Sequence, residues 1–335
     1  MPLRISVDAM GGDLGPTIVV AAVKESLRAY PDVSFLLCGD KDVLRAEIGD
    51  DLGEDLGSRI KLRHSLSIVD GNDKPSSIVR AKADSSMAVA IGALAEGDAD
   101  ACVSGGNTGA LMALGLFTLG LLPGISRPAV CSEIPTKTGT SLVLDLGANT
   151  DCSAQQLFQF ALLGALTMQQ LYAIPAPSVK LLNIGSESRK GNTIIQQAAE
   201  LLQTQPQLNY QGFIEGHGLF AGEADVIVCD GFSGNIALKS SEGTANLIGH
   251  TITQFFNKGW RSKLAASLLG ESLSQLKLSI QPGFYNGAYF LGLSGVIIKS
   301  HGGADKLAFK AALNSAIAAA QHQLPSKLAA ILENT

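Results

Sequence analysis

Charged residues are scarce in this sequence, at 16% of 335 residues, and they balance to a formal net charge of −5. A nucleic-acid surface requires clustered Lys and Arg, so the composition argues against nucleic acid as a partner. The longest apolar stretch, residues 109–122, is too short to span a bilayer and stops at Pro123. The chain opens directly on a strand-like pattern, and we expect no signal peptide. These absences predict a soluble protein.

Familiar motifs of metal and cofactor sites are also missing. The sequence has no His-Glu-x-x-His pair, no Cys/His ligand cluster, no Walker-type loop and no nucleophile-elbow serine. The five cysteines lack metal-type spacing, and most lie in or beside apolar runs, which is typical of reduced, buried side chains in a cytosolic protein. Residues 216–221 match the loose dinucleotide fingerprint, but the next strand follows too closely for the crossover helix that this fingerprint requires. We predict no metal and no cofactor.

Glycine and short β-branched runs dominate what is present. The 37 glycines are about 11% of the chain, against a usual value near 7%, which indicates many tight loops. Strand-like runs alternate with Ala-rich helical stretches, and this alternation predicts an α/β fold, a three-layer α/β/α Rossmann-like sandwich with a mostly parallel sheet. Residues 129–134 and 142–145, joined by a short turn, are the best candidates for an antiparallel pair. We expect a single domain, residues 1–335.

The predicted elements follow from this alternation. The predicted strands are residues 5–8, 33–38, 60–64, 101–104, 129–134, 142–145, 179–184, 212–215, 226–230 and 296–299. The predicted helices are residues 16–28, 86–95, 108–119, 152–171, 193–202, 234–256 and 304–321.

Glycine, together with asparagine or aspartate, follows five of the predicted strands. Ligands in folds of this kind bind at the carboxyl ends of the strands, where loops lead into helices. We therefore expect the five loops to form one common site. The loops are residues 8–13, 104–109, 145–149, 184–192 and 230–235.

Two of these loops have the composition of an anion site. In residues 105–109 glycines let backbone N–H groups converge, and the following helix directs its positive end at the same spot. Asn107 and Thr108 could contact a phosphate there, or one of them could simply cap the helix. After the strand that ends at Asp230, Asn235 could donate to an oxyanion with Lys239 one turn further on, and a helix cap is again the alternative.

Isolated cations and one histidine extend the set of candidates. Lys190 lies just before a helix whose dipole does not call for a lysine there, although a surface lysine is the simpler interpretation. Arg80 and Lys82 belong to a basic, hydroxyl-rich loop that could contact an anion or an acidic carrier protein, or could be a solvated helix entrance. His301 is the histidine in the most catalytic setting, although a lone histidine is more often structural.

The segment at about residues 255–278 combines basic side chains with Trp and Leu. This pattern is typical of a helix that lies on an anionic membrane surface. A helix that packs on the core or on a partner subunit shows the same pattern, and both interpretations stay open. The candidate membrane contacts are Trp260, Leu264, Leu268 and Leu269.

Six motifs, in order along the chain, resemble those of the phosphate acyltransferase family. They include Asp-Ala-Met-Gly-Gly-Asp at residues 8–13, Leu-Asp-Leu-Gly-Ala-Asn at 144–149 and Lys-Ser-His-Gly at 299–302. The match runs from residue 5 to residue 303, and it is far more specific than any single glycine-rich loop. The other motifs are residues 107–112, 183–192 and 229–235, and residues 285–288 belong to the motif that ends at 299–302.

The resemblance implies transfer of a long-chain fatty acyl group from acyl carrier protein to inorganic phosphate, giving acyl phosphate for phospholipid (phosphatidic acid) synthesis. It also implies a homodimer, a shape related to isopropylmalate dehydrogenases, and no cofactor. The family's cytoplasmic enzymes attach peripherally to the inner face of the cell membrane, where a downstream glycerol-phosphate acyltransferase would be a partner. The family's membrane-contact segment corresponds to about residues 255–278 here.

By the same resemblance, the family's active-site lysine and asparagine correspond to Lys190 and Asn235. We expect Lys190 to neutralise phosphate, Asn235 to bind the oxyanion or phosphate oxygens, and His301 to protonate the leaving thiolate. The expected substrate or phosphate contacts are Asp8, Asn107, Thr108, Asn149, Asn192, Asp230 and Lys239.

Two other functions compete with this one. A dehydrogenase of the isopropylmalate type would have a similar fold, but it predicts a metal-binding aspartate set and a nicotinamide site, and neither shows in the motifs. A non-catalytic scaffold on the membrane would not need five strand ends that carry Gly and Asn.

Overall fold

The structure, a computed structural model, describes residues 2–49, 53–71, 73, 75–259, 261, 262, 264, 267, 269, 270 and 286–333. These residues form one sheet of eleven strands in the order β3-β2-β1-β4-β11-β10-β5-β6-β9-β7-β8. The strands are β1 Leu3–Asp8, β2 Val33–Gly39, β3 Ile60–His64, β4 Ala101–Ser104, β5 Ala129–Thr136, β6 Gly139–Leu144, β7 Ser178–Leu182, β8 Asn209–Ile214, β9 Val226–Val228, β10 Ala288–Leu291 and β11 Val296–Lys299.

Helices cover both faces of this sheet. They are α1 Gly15–Ala29, α2 Lys41–Ile48, α3 Gly53–Ser58, α4 Pro75–Ala81, α5 Ser86–Ala95, α6 Thr108–Leu119, α7 Ala154–Tyr172, α8 Thr193–Gln203, α9 Gly231–Asn257, α10 Lys306–Gln321 and α11 Leu324–Leu332, with a 3₁₀ helix at Gly216–Phe220. Buried side chains of α1, α2, α7, α8, α10 and α11 pack on one face, and those of α4, α5, α6 and α9 pack on the other. The three-layer α/β/α fold with a mostly parallel sheet is thereby confirmed.

Several predicted elements coincide with the observed ones. β3, β4, β11 and α6 have the predicted bounds, and β5 and β6 form the predicted antiparallel pair. A 3₁₀ helix occupies Gly216–Phe220, so the loose dinucleotide fingerprint has no crossover helix after it, as expected. All five cysteines are free and buried, which confirms their interpretation as small core side chains.

The sheet reverses direction in its middle. β10 pairs antiparallel with β11 and with β5, and β5 pairs antiparallel with β6, whereas the other neighbours are parallel. The carboxyl ends of β1, β4 and β11 therefore lie at one edge, called here the first edge, and those of β6, β7 and β9 lie at the opposite, second edge. Within one chain the five loops therefore leave the sheet at two edges, whereas the sequence analysis expected them at one.

The antiparallel β5–β6 pair causes this reversal, and the sequence analysis predicts that pair but not the strand β10 beside it. β10 has only four residues and lies between Gly287 and Gly292, so it is too short to show a clear alternation. Without it, β11 and β5 would be expected to run parallel as neighbours. Inserting β10 between them keeps those two strands in the same direction, and the β5–β6 hairpin then reverses β6, β9, β7 and β8 relative to β1.

The longest described helix, α9, starts at the second edge and continues for 27 residues. Its N-cap is Asp230, whose side chain accepts a hydrogen bond from the Ser233 N–H. Only its first turns lie against the sheet, through Ala237 and Leu238. Among the described helices, none is long and apolar enough to cross a membrane.

Two helical glycines test how tightly the layers pack. A Cβ on Gly164 of α7 would lie 2.5 Å from Cγ1 of Val226, whereas a Cβ on Gly243 of α9 would meet open space. We expect Gly164→Ala to lower the free energy of unfolding by about 1–3 kcal/mol through overpacking. Gly243→Ala should raise it by about 0.5–1 kcal/mol through helix propensity. Urea unfolding measures both, and stabilisation by Gly164→Ala would contradict the close packing of α7 on β9.

Candidate active site

At the first edge, the loops after β1 and β4 surround a buried carboxylate. Asp8 is 1% exposed, and its Oδ2 accepts a hydrogen bond from the Ser104 hydroxyl at 2.6 Å. Burial raises the pKa of Asp8, and the hydrogen bond from Ser104 opposes that shift. A Cβ on Gly11 would lie only 2.4 Å from Oδ2, which explains the glycine there. Asp8 therefore positions these loops and presents almost no surface to a substrate.

The loop after β11 joins the same cluster. The Asp13 N–H donates to the Gly302 carbonyl at 2.8 Å, and Gly12 has a positive φ of 95° close to that carbonyl. His301 is exposed, its Nδ1 accepts a hydrogen bond from the Gly303 N–H at 3.1 Å, and its own N–H donates to Asn286. Nδ1 of His301 is thus hydrogen-bonded within its own turn.

Lys299 is a residue of this edge that the sequence analysis missed. Strand alternation places it on the same sheet face as Asp8 and Ser104, and its ammonium group donates to the carbonyl oxygens of Gly105, at 3.1 Å, and Ser300. Burial lowers the pKa of Lys299 to about 8, although the negative charges of Asp8 and Asp13 oppose the shift. The available signal was a lysine at an inward-facing position of an apolar strand.

At the start of α6, the side chain of Asn107 is used within the fold, whereas Thr108 is accessible to solvent. Asn107 caps the helix, because its Oδ1 accepts from the Ala110 N–H at 2.9 Å and its Nδ2 donates to the Gly71 carbonyl at 2.7 Å. Of the two interpretations of Asn107, phosphate contact or helix cap, the structure shows the helix cap. Thr108, the first helical residue, is exposed. An anion at this end would meet Thr108 and the helix N-terminus.

At the second edge, a second buried carboxylate organises the loop after β6. Asp145 accepts hydrogen bonds from the backbone N–H groups of Val130 at 2.9 Å, Gly147 at 3.1 Å, Ala148 at 3.0 Å and Asn149 at 2.7 Å. The Asn149 side-chain amide adds a fifth at 2.8 Å. Burial raises the pKa of Asp145, and these hydrogen bonds oppose the shift. The sequence analysis used Asp145 as part of a motif but did not single it out.

Three residues predicted to contact substrate at this edge instead form hydrogen bonds that hold its loops and helix ends. Asn149 is 7% exposed, and its amide also donates to the Pro128 carbonyl at 2.8 Å. Asp230 caps α9 and accepts a second hydrogen bond from the Ser233 hydroxyl at 2.9 Å. Asn192 caps α8 through the Ile195 N–H at 2.9 Å. These side chains therefore position loops, and their hydrogen-bonding groups are used within the fold.

Lys190 and Asn235 differ from Asn149, Asn192 and Asp230 because their side chains are exposed and take no part in caps or loop hydrogen bonds. Lys190 follows β7 and Asn235 lies in the first turns of α9 after β9, and β7 and β9 are adjacent strands. Within the described residues, neither the Lys190 ammonium nor the Asn235 amide has a hydrogen bond or ion pair. The backbone around Lys190 is nevertheless fixed, since its carbonyl accepts from the side chains of Asn183 and Gln196.

Helix α9 connects the two edges. Its beginning lies on the loop after β6, where a Cβ on Gly147 would be 3.6 Å from Cβ of Asn235. Lys239, one turn after Asn235 on the same side of the helix, is close enough for its charge to lower the pKa of Lys299 at the first edge. Lys239 also forms an ion pair with Glu242 at 2.8 Å.

The predicted carrier-protein contacts lie near α4. Arg80 is exposed in the last turn of this helix. Lys82 donates to the Ile68 carbonyl at 2.8 Å and lies 3.6 Å from the Asp73 carboxylate. Arg80 is therefore available to a partner, whereas Lys82 holds its own loop.

Of the predicted membrane contacts, Leu264 and Leu269 are 56% and 49% exposed. Trp260 and Leu268 lie outside the described residues. Helix α9 also carries exposed apolar side chains along its length. They are Phe232, Ile236, Leu247, Ile248 and Phe255.

Solved structures of known function share this architecture. A phosphotransacetylase from Streptococcus pyogenes superposes with a TM-score of 0.62 at 18% identity, covering 96% of this chain and 94% of that one. A branched-chain phosphotransacylase from Enterococcus faecalis superposes with a TM-score of 0.59 at 15% identity, covering 96% and 99%. At such identities the likeness concerns the fold alone. The fold is that of the phosphotransacylases.

Sequence relatives narrow this class. A family model described as "Fatty acid synthesis protein" matches residues 3–327. A phosphate acyltransferase of Nitrosococcus oceani is 47% identical over 333 residues, covering 99% of this chain and 97% of the relative. A phosphate acyltransferase of Pseudomonas putida is 46% identical over 330 residues, covering 98% of both chains. The chain therefore belongs to the phosphate acyltransferase family and is an acyltransferase of fatty acid synthesis.

The pKa of Lys299 predicts how stability depends on pH. An unfolded lysine has a pKa of 10.5, whereas burial lowers the pKa of Lys299 to about 8. Between these values the unfolded state holds a proton that the folded state has released, so this lysine makes stability rise with pH there and fall as pH drops through 8. Lys299→Met should remove this contribution.

The measurement is urea unfolding between pH 7.5 and 10.5, since the titrations of other groups cancel when two variants are compared. The difference in unfolding free energy between wild type and Lys299→Met should grow in favour of wild type as pH rises. Lys327→Met, which changes an exposed lysine of α11, serves as the control. Parallel curves for wild type and Lys299→Met would contradict the lowered pKa.

Proposed function

We propose that this chain transfers a long-chain fatty acyl group from the thioester of acyl carrier protein to inorganic phosphate, and that Lys190 and Asn235 carry the reaction. The observation that supports this proposal is that these two side chains are exposed beside adjacent strands, while Asn149, Asn192 and Asp230 are used in caps and loops. The family supplies the class of reaction. The choice of carrier protein as donor follows from the resemblance of the motifs.

The proposed chemistry needs few protein groups. A phosphate oxygen attacks the thioester carbonyl carbon and forms a tetrahedral oxyanion, whose collapse breaks the C–S bond and releases acyl phosphate. Lys190 would neutralise the phosphate, and Asn235 would donate a hydrogen bond to the oxyanion or a phosphate oxygen. Holding the two reactants in contact supplies the rest of the acceleration, which for well-oriented groups reaches about 7–11 kcal/mol.

The proton balance of this reaction also bears on His301. Hydrogen phosphate loses its proton when its oxygen becomes acylated, and the leaving thiolate needs one proton to become the carrier thiol. The leaving thiolate, whose conjugate thiol has a pKa near 8.5, can take that proton from the phosphate itself. Because His301 lies at the first edge and Lys190 at the second, a proton donated by His301 within the same chain is not part of this proposal.

The remaining substrate contacts are assigned by accessibility. At the second edge, the N-terminus of α9 after Asp230 would contribute N–H groups to the oxyanion or phosphate. Thr108 and Lys239 would contact anionic parts of the donor along the path from the second edge to the first. Arg80 would meet the acidic surface of the carrier protein, where charge complementarity speeds encounter.

Removing either central side chain tests this assignment. Lys190→Ala and Asn235→Ala should each lower kcat for acyl phosphate formation by about 100-fold or more, since one lost donor to an oxyanion costs about 2.7–4 kcal/mol. The assay combines acyl carrier protein thioester with phosphate, omits metal and nicotinamide, and follows acyl phosphate and free carrier thiol.

Arg189→Ala is the matched control, because it removes an exposed cation directly beside Lys190. It should retain most of the activity. Near-normal turnover of Lys190→Ala would overturn the assignment of this residue. A wild-type protein that makes no acyl phosphate would favour the scaffold or dehydrogenase alternatives.

The location in the cell is part of the same proposal. The protein would be cytoplasmic, form a homodimer, and attach peripherally to the inner face of the membrane, where a glycerol-phosphate acyltransferase would consume the acyl phosphate. Support comes from the exposed apolar side chains of α9 and from Leu264 and Leu269 beyond it, which offer an unpartnered apolar surface next to Lys258 and Arg261.

Charge substitution tests the membrane contact. Leu264→Glu and Leu269→Glu together should reduce binding to phosphatidylglycerol vesicles at least several-fold, because buried apolar contact is lost and negative charge is added. Leu307→Glu changes a helical leucine of similar exposure, 52%, at the start of α10 and should leave binding unchanged. Vesicle co-sedimentation measures all three, and equal loss in both variants would contradict the proposed segment.

A further inference from the structure

A cavity of about 340 Å³ lies on the sheet face opposite to Lys299 and α9. It opens between α7 and α10, above β5 and β10, and Tyr172, Tyr289 and Glu133 form its polar wall. Its volume falls at the lower end of the range for sites that hold small organic ligands. None of the five loops predicted to bind substrate lines this cavity.

Two phenols are directed at one carboxylate in this cavity. The Tyr289 hydroxyl lies 3.4 Å from Oε1 of Glu133. Burial raises the pKa of Tyr172 and that of Tyr289, and the negative charge of Glu133 raises both further. Both phenols therefore remain protonated and act as donors toward Glu133.

An unsatisfied acceptor lies beside them. Oδ1 of Asn314 is buried and has no hydrogen-bond partner among the described residues. Buried polar atoms of folded proteins nearly always have a partner, and one without a partner signals a missing donor. A ligand with N–H groups would supply that donor.

Charge defines the kind of ligand. Of the described side chains that line the cavity, Glu133 is the acidic one, and none is Lys, Arg or His. Leu171, Ala311 and Ala318 add apolar wall. A divalent metal would call for six or more oxygen ligands, mostly carboxylates, and among the described residues no cluster of three or more metal-binding side chains exists. An ammonium group, with three donors and no acceptor, fits the oxygen acceptors better.

We propose that this cavity binds a small primary alkylammonium ion, with its N–H groups on Glu133 and Asn314 and its alkyl part on the apolar wall. This site is separate from the proposed acyl-transfer site, and it stands whether or not that proposal holds.

One residue that lines the cavity, Asn286, also forms hydrogen bonds with the loop after β11. The Asn286 amide donates to the Ser300 hydroxyl at 2.7 Å and to the Ala308 carbonyl at 2.8 Å. The same side chain accepts from the His301 N–H at 2.8 Å. A ligand in the cavity therefore lies against a residue that holds the loop beside Lys299.

Calorimetric titration of the full chain with ethylammonium at neutral pH and low salt tests the site. We expect saturable binding at one site per chain. Tetramethylammonium has the charge without N–H donors, and 1-propanol has a donor without the charge, so each should bind at least ten-fold more weakly. Sodium chloride at equal ionic strength accounts for screening of charge.

Two variants and a control locate the binding. Glu133→Gln keeps the shape and removes the charge, and Asn314→Leu removes the unsatisfied acceptor at similar volume; each should weaken ethylammonium binding at least ten-fold. Glu200→Gln, which changes an exposed carboxylate of α8, should leave it unchanged. Circular dichroism and thermal unfolding of each variant confirm that it is folded.

Three results of these binding measurements would overturn the proposed alkylammonium site. Absence of saturable ethylammonium binding up to about 20 mM would overturn the proposal, since that corresponds to an affinity too weak to be a site. Equal binding of tetramethylammonium, or unchanged binding by folded Glu133→Gln and Asn314→Leu, would overturn it as well.

Discussion

The carboxylate of Asp145 accepts five hydrogen bonds from the loop that it begins and from the neighbouring strand β5. A buried carboxylate without such donors costs several kcal/mol or more, so the loop is held to the one shape that satisfies it. That shape places the Asn149 carbonyl where it accepts from the Gly231 N–H at 2.7 Å. The N-terminus of α9 is thereby fixed, and Asn235 with it. The candidate site depends on a residue that does not reach the substrate.

Asp8 has the corresponding role at the first edge, where it accepts from the Ser104 hydroxyl, which in turn accepts from the Gly106 N–H. The side chains of Asp8, Asp145, Asn149 and Asp230 hold loops, whereas the Lys190 ammonium group and the Asn235 amide face solvent. At the second edge this favours the handling of an anion, because Asp145 and Asp230 are used within the fold while Lys190 and the N-terminus of α9 are accessible.

The sequence predicts much of this arrangement from local rules. Alternation and helix caps give β3, β4, β11 and α6 their bounds, and the glycine-rich loops were correctly placed at strand ends. Local rules do not determine which strand lies next to which, so the sequence analysis missed the insertion of β10 and the position of the β5–β6 pair at the point where the sheet changes direction. Composition also cannot separate a cap from a ligand contact, since Asn107, Asn192 and Asp230 have the same residue types in either role. Lys299 was missed because burial of its amino group is a tertiary property.

The reversal of the sheet sets a requirement on any acyl transfer that uses both edges. β11 has only four residues, so the two edges are separated there by about 13 Å at a rise of roughly 3.3 Å per residue. Helix α9 crosses this distance on one face, with Asn235 near the second edge and Lys239 within electrostatic reach of Lys299 at the first. Two lysines that approach from different elements repel each other unless an anion reduces the repulsion. An elongated anionic donor lying along α9 would satisfy both lysines and present its reactive end to Asn235, which links the polar groups of both edges in one chain.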